Sequence, residues 1–146
     1  MQVPQYVTVD EVQKVCRELK LSDWTAKQVP EVSLEEAKVI LQGVNVENMP
    51  IDLGEFRDGL QVELEHGMQF ADANVTNNHP VLTGMIVLAH LKESLDYYRL
   101  LEVAELEGDL VKAVAAGNLE KVQKYYKRLA EARIALSEAE LKRLGG

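Results

Sequence analysis

Three consecutive segments decide the fold: E-L-E-H-G at 63–67, N-V-T-N-N-H-P at 74–80 and T-G-M-I-V-L-A-H-L-K-E-S-L-D-Y-Y at 83–98. The first segment closes a helical run, and we expect Gly67 to stop that helix in a left-handed conformation. The second is rich in residues that cap or turn, so Asn78 is predicted to cap a helix with Pro80 in its first turn. The third is apolar almost all the way round, which is typical of a buried central helix.

Capping boxes predict the other helices. In this pattern a polar N-cap residue is followed three positions later by a Glu, and each side chain satisfies a free backbone N–H group. It occurs four times, at Thr8–Glu11, Ser33–Glu36, Asp52–Glu55 and Ser137–Glu140. The predicted helices cover 8–21, 33–42 before a stop at Gly43, and 52–67. No segment alternates apolar and polar residues over the length of a strand, so the fold class is all-α, a compact multi-helix domain.

The last third of the chain is predicted to be a helical extension. A helix at 95–107 is expected to break at Gly108, and a short helix at 109–116 to stop at Gly117. Asn118 then caps a long helix with the buried stripe Leu119, Val122, Tyr126, Leu129 and Ala132. The predicted organisation is an N-terminal helix and linker at 1–31, a helical core domain at 32–107 and a basic C-terminal helical extension at 108–146.

Composition narrows the class of protein. The 146 residues are 47 % hydrophobic and 27 % charged, which is typical of one globular domain with a substantial core. A single cysteine, Cys16, excludes an internal disulfide, and we expect a buried thiol and a reducing, cytoplasmic location. No apolar run is long enough to span a membrane, so no membrane partner is expected. The net charge of −8 disfavours nucleic acid as a partner of the whole chain.

Two pairs of side chains have the spacing of metal ligands. Glu63 with His66, and His90 with Glu93, lie three residues apart on predicted helices, so each pair shares a helix face. The same spacing occurs in di-iron carboxylate bundles, and a transition metal is the one cofactor that the sequence suggests. The competing interpretation is structural. His66 then sits at a helix C-terminus, where the dipole favours an imidazolium, and His90 bonds to a polar group in the core.

The basic extension offers a contact surface. Its exposed candidates are Lys121, Lys124, Tyr125 and Arg128, which combine cations with an aromatic ring. One interpretation is weak binding of single-stranded nucleic acid. A second is that these charges are the solvated side of an amphipathic helix. In a third, the basic extension docks on an acidic surface of its own chain, of a second copy or of another protein.

The motifs together resemble those of a family of short bacterial and phage proteins known only as a domain of unknown function. The resemblance covers about Val32 to Leu106 and rests on E-L-E-H-G, N-V-T-N-x-x-P and T-x-x-I-x-x-A-H-L-x-E-x-x-D-Y-Y. Members typically carry an acidic pair before the proline, where this chain has Asn78 and His79, so carboxylates there do not bind a cation. The resemblance implies a virion-associated or prophage role and a structural use of its other motif residues, Asn74, Asn77, Pro80, Asp96 and Tyr97.

These observations predict a protein without enzymatic activity. No nucleophile with a base, phosphate-binding glycine loop or zinc motif occurs in the sequence, and no catalytic residue is assigned. The first hypothesis is a helical interaction or structural module that works as a homo-oligomer or is docked on a larger assembly. The alternatives are a metal-binding helical protein and a nucleic-acid-binding accessory protein that uses its basic C-terminal helix.

Overall fold

The computed structural model describes residues 7–145, and within them the chain forms six α-helices and no strand. This confirms the predicted all-α class. The helices are α1 (Val9–Glu18), α2 (Leu34–Val44), α3 (Leu53–Gln69), α4 (Pro80–Glu93), α5 (Tyr97–Ala115) and α6 (Leu119–Arg143). Single 3₁₀ turns lie at Trp24–Ala26 and Ala71–Ala73. None of the helices in the described part of the chain is long and apolar enough to cross a membrane.

The helices divide into two compact units. The N-terminal unit extends to Glu93 and the C-terminal unit begins at Ser94. In the N-terminal unit α2, α3 and α4 pack against one another, while α1 packs on the first 3₁₀ turn and on α4. The predicted border at 107/108 lies inside α5, because α5 is continuous from Tyr97 to Ala115. It therefore differs from the division between the two units.

The core of the N-terminal unit is mainly aliphatic, with one indole and one phenyl ring. Its fully buried large side chains are Val12, Trp24, Ile40, Phe56, Leu60, Leu64, Val87 and Leu91. The indole N–H of Trp24 donates to the Glu36 carboxylate at 3.3 Å, which gives the buried ring a polar partner. Cys16 is also buried, and desolvation raises the pKa of its thiol, so it is packed as a small apolar side chain.

Four of the predicted N-caps are present at the first turns of helices. Ser33 and Glu36 form a complete capping box at the start of α2. The Thr8 hydroxyl accepts from the Glu11 N–H, and the Asp52 carboxylate accepts from the Gly54 and Glu55 N–H groups. The Asn118 side chain accepts from the Lys121 N–H and begins α6.

Three predicted helix ends and one predicted helix start were wrong. Gly43 and Gly67 lie inside helices that continue to Val44 and Gln69, so neither residue stops its helix. Gly108 lies inside α5, and the separate helix predicted at 109–116 is the second half of α5. Ser137 lies inside α6 and begins no terminal turn. Isolated glycines cost a helix about 1 kcal/mol each relative to alanine, which longer-range packing easily offsets.

The C-terminal unit is a hairpin of two long helices. Gly117 adopts a left-handed conformation (φ +64°) between α5 and α6, and this part of the prediction is correct. The inner sides pack through a buried cluster of Leu106, Leu129 and Ala132, which Val103, Leu110 and Tyr125 flank. At the open end the Arg143 guanidinium contacts both oxygens of the buried Asp96 carboxylate, at 2.5 and 2.9 Å. The helices are therefore antiparallel, and a bidentate ion pair joins their far ends.

Gly84 allows α4 to pack closely on α2. A Cβ atom at Gly84 would lie 2.4 Å from Ile40 Cγ2, so replacement by alanine requires the buried Ile40 side chain or the two helices to shift. We expect Gly84→Ala to lower the free energy of unfolding by about 1–3 kcal/mol, the usual cost of overpacking. Urea unfolding monitored by the fluorescence of Trp24, the single tryptophan, measures this cost in the N-terminal unit.

Gly43→Ala is the matched control for that substitution. Gly43 lies in α2, and no atom lies within 4 Å of the position that a Cβ atom would occupy there. Alanine at this position should therefore stabilise the unit by roughly 0.5–1 kcal/mol. If Gly84→Ala were as stable as Gly43→Ala, close helix packing at Gly84 would not be required.

Candidate functional site

The connector between α3 and α4 is organised by Asn74. Its amide N–H group donates to the Gly67 carbonyl at 3.0 Å and to Asn78 Oδ1 at 2.8 Å. Its side-chain oxygen accepts from the backbone N–H and hydroxyl of Thr76, at 3.3 and 3.2 Å. One side chain therefore joins the last turns of α3 to both ends of the tight turn before α4.

Gly67 is required at this point for a reason other than the one predicted. A Cβ atom there would lie 2.2 Å from Asn78 Oδ1 and 3.0 Å from Asn74 Nδ2. The absence of a side chain lets the connector lie directly on α3. Asn77 and Asn78 both have positive φ, +49° and +58°, a conformation that asparagine tolerates better than most residues.

His79, and not Asn78, provides the cap of α4. Its Nδ1 atom accepts from the Leu82 N–H at 3.3 Å, its carbonyl accepts from the Thr83 N–H at 2.9 Å, and α4 begins at Pro80 as predicted. Asn78 instead accepts from Asn74. The His79 side chain is half-buried, and desolvation lowers its pKa; an interaction with its own backbone and the charge of Glu11 act in the opposite direction.

The structure brings together three of the four predicted metal ligands. Glu63 Oε1 lies 3.1 Å from His90 Nδ1, and Glu63 Oε2 lies 3.8 Å from His66 Nδ1. Glu93 is exposed at the last position of α4. Across residues 7–145 no three His, Cys, Asp or Glu side chains are arranged to hold a metal ion. The contact between the Glu63 carboxylate and the His90 imidazole links α3 to α4. The four-ligand metal site stays a prediction.

A small cavity lies beside this cluster. It has a volume of about 240 Å³, and its lining includes Glu63, His66, Asn74, Phe70, Thr83 and Ile86. Pockets for drug-sized ligands generally start at roughly 300 Å³. The Glu63 carboxylate that faces it already contacts two histidines. The cavity is therefore smaller than a typical ligand pocket, and the arrangement of its lining residues defines no reaction.

The remaining motif residues have structural contacts. The Asn77 amide N–H group donates to the Val7 carbonyl at 2.5 Å and so ties the connector to the segment that precedes α1. Asp96 binds Arg143, and the Tyr97 ring packs edge-on against Tyr98 with ring centres 5.3 Å apart. These contacts lie in two different units.

The predicted partner residues lie on α6. Lys121, Lys124 and Arg128 are exposed, and Arg128 lies 3.8 Å from the Glu102 carboxylate of α5. Tyr125 is half-buried because its ring packs against the inner cluster of the hairpin. The part of the basic extension that the structure describes therefore packs on α5 and uses some of its cations there.

One family model matches the chain, over residues 12–107, and its description is Protein of unknown function (DUF5661). The chain belongs to this family. The resemblance expected from the connector motifs is confirmed, and the match begins before the expected start at Val32. It contains α2, α3 and α4 and ends inside α5, so α6 lies outside it. No curated protein and no solved structure matches the chain.

The close contact at Gly67 predicts coupling between two substitutions. Gly67→Ala alone should lower the free energy of unfolding by about 1–3 kcal/mol, because the methyl group meets the Asn78 amide. In an Asn78→Ala background the same change should cost less, since the atom 2.2 Å away is gone. A double-mutant cycle from urea unfolding measures the difference. Additive costs would mean that the two residues do not contact each other in this way.

The cap at His79 predicts a dependence of stability on pH. The pKa of His79 is lower in the folded protein than its ordinary value of 6.5, so between these two pKa values the unfolded chain binds more protons. The free energy of unfolding should therefore fall as the pH falls below about 6.5. Protonation also removes the Nδ1 lone pair that accepts from Leu82.

His79→Asn is the control for this dependence, because asparagine is a good N-cap that does not titrate. The variant should be close to wild type in stability at pH 7.5 and lose less stability between pH 7 and pH 5. The same loss in both proteins would mean that His79 does not cause the pH dependence.

Proposed function

We propose that this protein is a non-enzymatic helical interaction module whose contact surface lies on the hairpin of α5 and α6. The observation that supports this proposal is a row of exposed large apolar side chains on the outside of both helices. They are Leu100 and Val111 on α5, and Leu119, Tyr126, Ile134 and Leu141 on α6, and we call this set the hairpin face.

The spacing of these residues aligns them along each helix. Leu100 and Val111 are separated by three helical turns, and successive members on α6 are separated by seven or eight residues, or two turns. Each set therefore forms a stripe. Both stripes lie beside, and not within, the inner surface that carries Leu106 and Leu129.

An ion pair shows that the two stripes lie on the same side of the hairpin. Arg133 on α6 contacts the Glu107 carboxylate on α5 at 2.6 Å. Glu107 is one turn before Val111, and Arg133 is next to Ile134, so the paired charges lie between the two apolar stripes. The two stripes therefore lie on one side of the hairpin, with this ion pair between them.

The exposure of this surface favours an interaction. Its members are 45–76 % exposed, although each is a large apolar side chain. Contiguous apolar surface on a folded protein usually marks a contact site, whereas isolated exposed apolar residues have no such meaning. The proposed contact set differs from the basic residues predicted from sequence, because Tyr125 faces inward and Arg128 lies near Glu102.

The other functions considered from sequence receive less support. The charges on α6 are partly used by ion pairs with α5 and within α6, including Arg128–Glu102, Arg133–Glu107 and Lys127–Glu131. Lys and Arg side chains that are held in such ion pairs contribute less to the binding of phosphate groups. Nucleic-acid binding, metal binding and a virion or prophage setting stay predictions.

Photo-crosslinking in the producing cells tests the proposal. A benzophenone amino acid at Ile134, on the hairpin face, should give protein adducts of the 16.4 kDa chain. The same probe at Lys112, whose side chain is 80 % exposed and which lies on a different side of α5, is the control. We expect at least several-fold more adduct from Ile134. Equal or lower yield from Ile134 would contradict a role of this surface in protein contacts.

A further inference from the structure

We infer that the hairpin face binds the same face of a second copy of this chain, so that two hairpins form an antiparallel four-helix bundle. This inference rests on the proposed function and names the partner. It follows from two properties of the hairpin: the size of its face, and a self-complementary ion pair near the middle of the face.

The face is large enough for a dimer. With 25 residues α6 is about 37 Å long, and with 19 residues α5 is about 28 Å long. Two adjacent helices, each about 10 Å wide, offer a surface of roughly 600 Å². A stable interface buries about 800 Å² of accessible surface on each partner. The accessible area of the hairpin face is larger than its flat projection, because side chains project from it. The hairpin is therefore of the right size to cover an identical hairpin.

Two hairpins can stack with α5 on α5 or with α5 on α6 of the second copy. In the second arrangement each α5 helix faces an α6 helix that runs in the opposite direction. This arrangement corresponds to a two-fold axis along the bundle, the symmetry of an isologous dimer.

The ion pair of Glu107 and Arg133 specifies that arrangement further. Both residues lie near the middle of their helices, at the same height in the hairpin, because their side chains are 2.6 Å apart. A two-fold axis along the bundle brings Glu107 of one chain opposite Arg133 of the other. The four charges then alternate in sign within one layer. Stacking α5 on α5 would instead place the two Glu107 carboxylates together.

Such a layer decides which helix faces which. A two-fold axis along the bundle keeps every layer at its own height, so the helices cannot slide past each other in a closed dimer. The charged layer among apolar layers is satisfied when α5 faces α6, in the manner of polar residues in coiled coils. The pair thus sets the orientation of the two hairpins, while the apolar side chains supply most of the burial.

Charge reversal on the purified full chain tests this arrangement. Native mass spectrometry and sedimentation equilibrium should give twice the 16.4 kDa chain mass for wild type. Glu107→Arg alone, or Arg133→Glu alone, places like charges within the layer and should weaken self-association roughly tenfold or more. An equimolar mixture of the two variants should form heterodimers, and the double variant Glu107→Arg/Arg133→Glu should dimerise like wild type. Lys112→Glu is the control and should have no effect.

The outcomes separate this inference from the proposed function. Monomeric wild-type protein at its highest soluble concentration would overturn the self-association, and adducts from Ile134 to other proteins would then still support an interaction surface. Dimers that survive Ile134→Asp, with helicity unchanged by circular dichroism, would place the dimer interface elsewhere and overturn this inference, whereas the crosslinking yield at Ile134 decides the proposed function. Dimers that lose stability with Ile134→Asp but not with either charge reversal would overturn the alternating layer.

Discussion

The direction of the central helix depends on the contact between the Asn74 amide and the last turns of α3. This side chain donates to both the Gly67 carbonyl and Asn78, and so holds the connector on the surface of α3. The connector can lie this close because Gly67 has no Cβ atom. His79 and Pro80 then begin α4 in a defined position. Because α4 packs on α1, α2 and α3, the connector determines how the N-terminal unit closes its core.

The sequence pointed to the segment that connects α3 and α4, but several of its residues have roles other than those predicted. Gly67 follows a helical run, and a glycine in that position equally suits a helix stop or a close approach by another part of the chain. Only the position of Asn74 and Asn78 in space distinguishes the two. For the same reason the cap was assigned to Asn78, since histidine is a rare N-cap and its Nδ1 contact with Leu82 leaves no recognisable pattern.

Helix starts were predicted better than helix ends, and the physical reason is the range of the interactions. Ser33 and Glu36 satisfy each other's backbone groups within one turn, so four adjacent residues contain the whole signal. The continuation of α5 through Gly108 depends on contacts with α6, which is distant in sequence. The fold class could therefore be predicted, while the Glu63–His90 contact and the length of α5 required the packing of separate helices.

The same distinction explains why the proposed contact surface was not recognised from sequence. The predicted stripe on the last helix combined Leu119 and Tyr126 with Val122, Leu129 and Ala132. In the structure these residues separate: Leu129 and Ala132 pack on α5, whereas Leu119 and Tyr126 are exposed. A helix with two apolar stripes about a third of a turn apart appears in sequence as one broad stripe. Its width exceeds what a single neighbouring helix covers, and this excess is the sequence signal for a second contact. Two apolar sides on one helix are the arrangement that a helix in a four-helix bundle requires, because each such helix packs against two neighbours.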